Sequence, residues 1–160
     1  MLETLTSRVR SAQKHAPVDL EGLASSLGLK VNYAYLPAGI SGELVSDNGS
    51  FSININAGDP PTRQRFTLAH EIGHYVRHRD LIGTGLDDDR AYRSTNQGRY
   101  FNTRIGPKQE TEANKFAANL LMPWDLIEEM QEAGLNRSQI AGQLGVSEHA
   151  MAIRLGEPYP

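Results

Sequence analysis

The sequence predicts a single α+β domain over residues 1–160. A small, mostly antiparallel sheet should pack on two long helices, one bearing a histidine pair and the other two glutamates, with short C-terminal helices around them. Three observations predict this. Strand-patterned segments crowd into residues 31–56, two long helical segments follow at 60–78 and 108–122, and capped short helices fill the rest.

Residues 2–15 read as a surface helix that ends before Pro17, and Val18–Leu27 as a second, short helix with Asp19 as N-cap and Gly28 as its stop. VNYAYL (31–36) and GELV (42–45) read as strands. SFSININ (50–56) is the clearest strand, since Phe51, Ile53 and Ile55 alternate with Ser52, Asn54 and Asn56. Asp47-Asn48-Gly49 between the last two is a hairpin signal. Asp59-Pro60-Pro61 then opens a long helix, with Asp59 as its cap and Pro60 as its first residue, running to His78. Residues 79–109 are polar and interrupted by glycine, too long for an ordinary connection, and read as either a functional loop or a partly disordered segment. A helix from Lys108 to Met122 is stopped by Pro123, and another from Trp124 to Ala133 by Gly134. Asn136 and Ser147 cap two last helices, 137–144 and 148–155.

Composition narrows the chemistry. The 160 residues are 39% apolar and 22% charged, an ordinary globular balance that can bury roughly two-thirds of the unfolded surface. No cysteine is present, which excludes disulfides, thiolate metal sites and cysteine nucleophiles. Charged residues near the N-terminus leave no apolar signal segment, and no run approaches a membrane span, so a cytoplasmic protein without membrane contact is expected. The net charge of −3 argues against coating nucleic acid, but it is uneven: −2 over 1–60, +4 over 61–109 and −5 over 110–160. The electropositive middle also holds the most informative residues.

Those residues are His70-Glu71-Ile72-Gly73-His74. Two histidines at i and i+4 lie one above the other on a helix face, where both rings reach one metal ion. Glu71 is rotated about 100° from His70, placed to hold a metal-bound water without being a ligand. Zinc lowers the pKa of such a water from about 15.7 towards 7, and a glutamate takes its proton as it attacks a carbonyl. The competing reading is a helix whose histidines are merely packed or solvated.

A catalytic zinc needs a third protein ligand and an open position. The long His-based motif is ruled out, because Arg77 stands where it needs glycine and Asp80 where it needs histidine. Asp80 is a candidate oxygen ligand, although no glycine turns the chain back towards the ion. His78 extends the stripe of His70 and His74, but a straight helix cannot wrap three turns around one ion. It is left as a partner of the site, a group orienting a ligand from behind, or an ordinary surface histidine. The second helix offers a glutamate instead. Glu110, Ala113, Asn114, Ala117 and Leu121 share its inward stripe, whereas Glu112, Lys115 and Asn119 face the other side. A carboxylate buried against a histidine pair needs a cation to offset its desolvation. Asn114, one turn on, is placed to orient a liganding histidine.

These segments resemble the ImmA/IrrE family of zinc metallopeptidases. The resemblance is carried by RQRFTLAHEIGHYVRH (63–78) and ETEANKFAANLLMP (110–123), and extends to PVDLEGLASSLGLKV (17–31), ISGEL (40–44), AYRS (91–94) and VSEHAMAIRL (146–155). It implies a minimal thermolysin-like core with one catalytic Zn2+ held by His70, His74 and Glu110, and Glu71 as the base. It also implies a protein substrate, either a helix-turn-helix repressor or an antitoxin-type partner, and hence a role in transcription regulation or a toxin–antitoxin-like pair. The chain is expected to comprise the peptidase core alone, without a fused DNA-binding or sensor domain.

Three further expectations concern substrate and partners. The polar strand Ser50–Asn56, as a sheet edge beside the metal helix, would pair with an extended substrate backbone. Tyr92, Arg93, Tyr100 and Arg104 are candidates for contacting the substrate or the oxyanion. The tail LNRSQIAGQLGVSEHAMAIRL (135–155) resembles a helix-turn-helix, but residues 123–160 hold two basic against six acidic side chains, too few cations for phosphate contacts. No direct DNA binding is expected; the tail should pack on the core or dock a protein. The alternative to a protease is a non-proteolytic partner-binding regulator or toxin–antitoxin component that keeps the zinc site.

Overall fold

The computed structural model describes residues 4–89 and 104–159. The order is α1 (Leu5–Ala12), α2 (Leu20–Ser26), β1 (Lys30–Ala34), β2 (Ile40–Asp47), β3 (Ser50–Asn56), α3 (Pro61–His78), a 3-10 turn (Arg79–Leu81), β4 (Gly85–Asp89), α4 (Pro107–Leu121), α5 (Trp124–Glu132), α6 (Arg137–Leu144) and α7 (Glu148–Leu155). The sheet order is β1-β3-β2-β4, with β1 parallel to β3 and the other two pairs antiparallel. The α+β class and the sheet on two long helices therefore stand. No helix among the described residues is long and apolar enough to cross a membrane.

Local signals explain most boundaries. Asp19 accepts from the Gly22 N–H at 3.0 Å and starts α2. Asn48 and Gly49 both have positive φ, 52° and 83°, as a two-residue hairpin of matching twist requires. Asn136 and Gln139 cap α6 reciprocally, and Ser147 accepts from Ala150 N–H to start α7.

Three expectations need correction. The long helix begins at Pro61, not Pro60, and Asp59 is not its cap. The Pro61 ring holds Pro60 in extended backbone (φ −60°, ψ 153°), so no helical turn starts earlier. Strand β3 is not an edge. The chain from α2 returns parallel to it as β1, so β3 lies between β1 and β2, and the described edges are β1 and β4. Part of the long 79–109 segment is itself a strand: β4 pairs with β2 along Gly85↔Val45 to Asp89↔Ile40.

Both inner strands meet α3, and β2 is the one that lies against Glu71. Its register against β4 slips at Ser41, between Ile40↔Asp89 and Gly42↔Asp88, a bulge beside the site. A Cβ on Gly42 would stand 2.5 Å from Thr67 Cγ2 and 3.4 Å from Glu71 Oε2, so only glycine lets β2 lie this close to α3. On the opposite side, a Cβ on Gly73 would stand 3.1 Å from the Phe116 ring and 3.3 Å from the Ala113 carbonyl. Helix α4 thus runs antiparallel along α3 at small-residue distance. One hydrophobic cluster joins Ile53 and Ile55 of the sheet, Leu68 and Ile72 of α3, Ala117 and Leu121 of α4, and Ile140, Leu144 and Met151 of the tail. Arg154 fastens α7 to this body by donating to the Met122 carbonyl at 3.0 Å and to Asn119 Oδ1 at 2.9 Å, with its guanidinium 4.7 Å from the Trp124 ring centre.

Gly42→Ala should therefore cost about 1–3 kcal/mol in urea unfolding. Adding Thr67→Ser, which removes the clashing methyl, should recover part of that loss beyond additivity. A double-mutant cycle checks both statements.

Candidate metal centre

Three electron-pair donors converge between α3 and α4. Glu110 Oε1 lies 3.0 Å from His70 Nε2 and 2.7 Å from His74 Nε2. The three ligand atoms lie within 4.8 Å of one another, and all three residues are buried, His74 completely. The histidines come together because they are one turn apart on α3, their rings 4.6 Å apart and nearly perpendicular. Glu110 reaches them because it opens the buried stripe Glu110, Ala113, Ala117, Leu121 of α4. That stripe is the one the sequence pattern predicts, with Asn114 half-buried beside it and Lys115 and Asn119 exposed. A carboxylate buried between two ring nitrogens is balanced by positive charge, from hydrogens on the rings or from a bound cation. The group is able to hold a metal ion, and nitrogen with carboxylate oxygen suits a divalent ion such as zinc.

Glu71, the next residue after His70, is fully buried, its carboxylate against the side-chain-free face of Gly42. Phe66, one turn before His70, sets its ring 6.2 Å from the His70 ring centre. Phe66 also lines a cleft of about 230 Å³ shared with Pro60, Arg63, Met122 and Val146. Among the loop candidates, Tyr92, Arg93 and Tyr100 lie outside the described residues. Arg104 is exposed, its guanidinium beside Gly83 in the turn that leads to β4.

His78 is neither a third ring around the centre nor a surface residue. It is buried, with Nδ1 3.0 Å from His74 Nδ1 and Nε2 3.1 Å from Glu112 Oε1. Burial holds the His78 pKa below the usual histidine value, against the upward pull of Glu112. The hydrogen bond from His78 in turn lowers the pKa of Glu112. Spacing alone places His78 on the stripe; its partner Glu112 follows only once α4 crosses the end of α3.

A histidine pair on one helix, a glutamate from a second and a buried glutamate beside the first histidine are the arrangement that one class of metallopeptidases uses. This chain belongs to the IrrE-like family: the model of the IrrE N-terminal-like domain matches residues 24–156. The chain is similar to the radiation response metalloprotease IrrE of Deinococcus radiodurans, 38% identical over 112 residues, which are 68% of this chain and 31% of that protein. It is also similar to the radiation response metalloprotease IrrE of Deinococcus deserti, 44% identical over 78 residues, 49% of this chain and 25% of that protein. The chain thus spans under a third of the length of either relative.

After loading with zinc and dialysis, elemental analysis should find about one equivalent in the parent and none in Glu110→Ala. Glu112→Ala should largely keep its zinc under the same treatment.

Proposed function

We propose that this protein is a zinc-dependent metalloendopeptidase whose substrate is a helix-turn-helix repressor or an antitoxin-type partner. The observation that carries the peptidase reading is the convergence of His70, His74 and Glu110 with Glu71 buried beside them. In this reading His70, His74 and Glu110 hold the ion. When bound, it supplies Lewis acidity, polarising a carbonyl and making a water easier to deprotonate.

The protein's own residues do the rest. Glu71 accepts the proton of the attacking water and later delivers it to the leaving amine, a general acid–base role worth about 10²–10⁴ in rate. Its complete burial keeps that carboxylate out of bulk water, beside the ligand His70. Asn114 remains the candidate for orienting a liganding ring from α4.

Extended substrate backbone would pair with the edge of β4 rather than with β3, because Asp88 of β4 is opposite Gly42, whose side-chain-free face is turned to the Glu71 carboxylate. The cleft by Phe66 is placed to take an apolar substrate side chain one turn along α3 from His70. A protein partner is favoured over DNA by the fate of the tail's cations. Arg154 is bound to Met122 and Asn119, and Arg137 pairs with Glu148 and Glu157, each at 3.2 Å. A repressor substrate would place the reaction in the cytoplasm.

The test mixes zinc-loaded protein with helix-turn-helix regulators from the same genome, beginning with any encoded next to its gene, and follows each regulator by mass spectrometry. The parent should cut one of them at a defined bond, and Glu71→Gln should cut it at least about 100-fold more slowly. If both proteins neutralise a regulator equally without cutting it, the protein is a partner-binding component that retains a metal site.

A further inference from the structure

Glu112 follows Glu110 by two residues but points away from the three converging donors, to His78. From there a line of hydrogen-bonding atoms leads back to the centre. Glu112 Oε1 lies 3.1 Å from His78 Nε2, His78 Nδ1 lies 3.0 Å from His74 Nδ1, and His74 Nε2 lies 2.7 Å from Glu110 Oε1. With an ion held by His70, His74 and Glu110, the hydrogens of the other links would have one arrangement. His74 Nε2, which faces Glu110, would offer its lone pair to the ion, so the N–H of that ring lies on Nδ1. That N–H donates to His78 Nδ1, which then only accepts. The hydrogen of His78 is left on Nε2, where Glu112 accepts it.

We infer that His78 and Glu112 are positioning residues that fix the tautomer and ring angle of His74, so that its Nε2 lone pair is held ready for the metal. The inference rests on the reading of His70, His74 and Glu110 as a metal site. It gives a use to the third histidine of the stripe, whose two ring nitrogens are both engaged and which is buried behind His74 on the side away from Glu110. It also gives a use to the second glutamate of α4. The Glu112 side chain is about one-third exposed (32%), and its other contact, to Arg77, is long at 3.6 Å, so a surface ion pair there contributes little by itself. Its effect is transmitted through His78. Hydrogen bonds behind a liganding histidine raise its basicity and lock its orientation, and losing them typically weakens metal binding 10–100-fold.

The experiment measures zinc release from the full-length, zinc-loaded protein to a chromophoric chelator. His78→Leu keeps bulk but removes both polar atoms, and zinc should leave about 10–100 times faster than from the parent. His78→Asn keeps an acceptor near the Nδ1 position and should release zinc within a few-fold of the parental rate. Glu112→Ala should fall between them. Thermal unfolding of the metal-free proteins separates this role from packing, because a packing role lowers the midpoint of both His78 variants without distinguishing their zinc release. A second readout does not depend on any variant folding. Nitrogen-15 correlation spectra of the zinc-loaded parent should show the hydrogen on Nδ1 of His74 and on Nε2 of His78. A His74 hydrogen on Nε2, or parental release rates from His78→Leu, overturns the inference while leaving the metal site intact. A parent that takes up no zinc overturns both.

Discussion

A carboxylate buried between two histidine nitrogens needs positive charge to balance it, and the surrounding structure holds the three groups together. Glu110 sits within 3.0 Å of both His70 and His74, where little water reaches to screen it. Without that charge, desolvation would drive such groups apart or into other partners. They stay because the elements carrying them cannot retreat: α3 is clamped between β2 on one side and α4 on the other, and both neighbours belong to one hydrophobic core. The cation affinity of the centre and the rigidity of the fold are two aspects of one arrangement.

The clamp depends on what is missing from two positions. Gly42 presents no side chain to α3, so the sheet closes over Glu71, and Gly73 presents none to α4, so Glu110 comes within reach of the histidines. One glycine thereby shields the residue proposed as base, and the other brings in the third donor. The bulge at Ser41 shifts the register of β2 beside that contact, a common device for adjusting a strand next to a site. Farther out, the C-terminal helices contribute apolar surface and the Arg154 fastening, so the helix-turn-helix-like tail serves here as part of the wall.

What could be read from the chain followed from local physics. The long helices, their buried stripes, the Asn48-Gly49 turn and the Asn136 and Ser147 caps depend on residues a few positions apart, and they fall where the pattern places them. The histidine pair and Glu110 were legible for the same reason, since helical periodicity sets which side chains share a face. The departures came from non-local constraints or from competing local ones. Asp59 has the chemistry of a cap, but tandem prolines shift the helix start past it. Ser50–Asn56 has the polarity of an edge strand, yet a parallel crossover puts β1 outside it. Residues 85–89 carry no strand pattern and become β4 only because β2 offers an unpaired side.

The sequence by itself determined the donor types and their spacing: a cysteine-free chain, two histidines one turn apart, a glutamate between them and two more glutamates on a second helix. It also determined which of those glutamates faces inward, because a helix face is a local property. Only the tertiary structure decided what the remaining polar residues do. His78 lies on the same stripe as His70 and His74, and nothing in its spacing says whether it is a partner of the site, a support for a ligand or a surface group. The crossing of α4 over the end of α3 places Glu112 against one of its nitrogens and thereby turns the other towards His74. The physical reason is one of range. Helical period and capping act over three or four residues, whereas the direction of a hydrogen bond depends on what lies opposite, and in this fold the opposite partner lies 34 residues away.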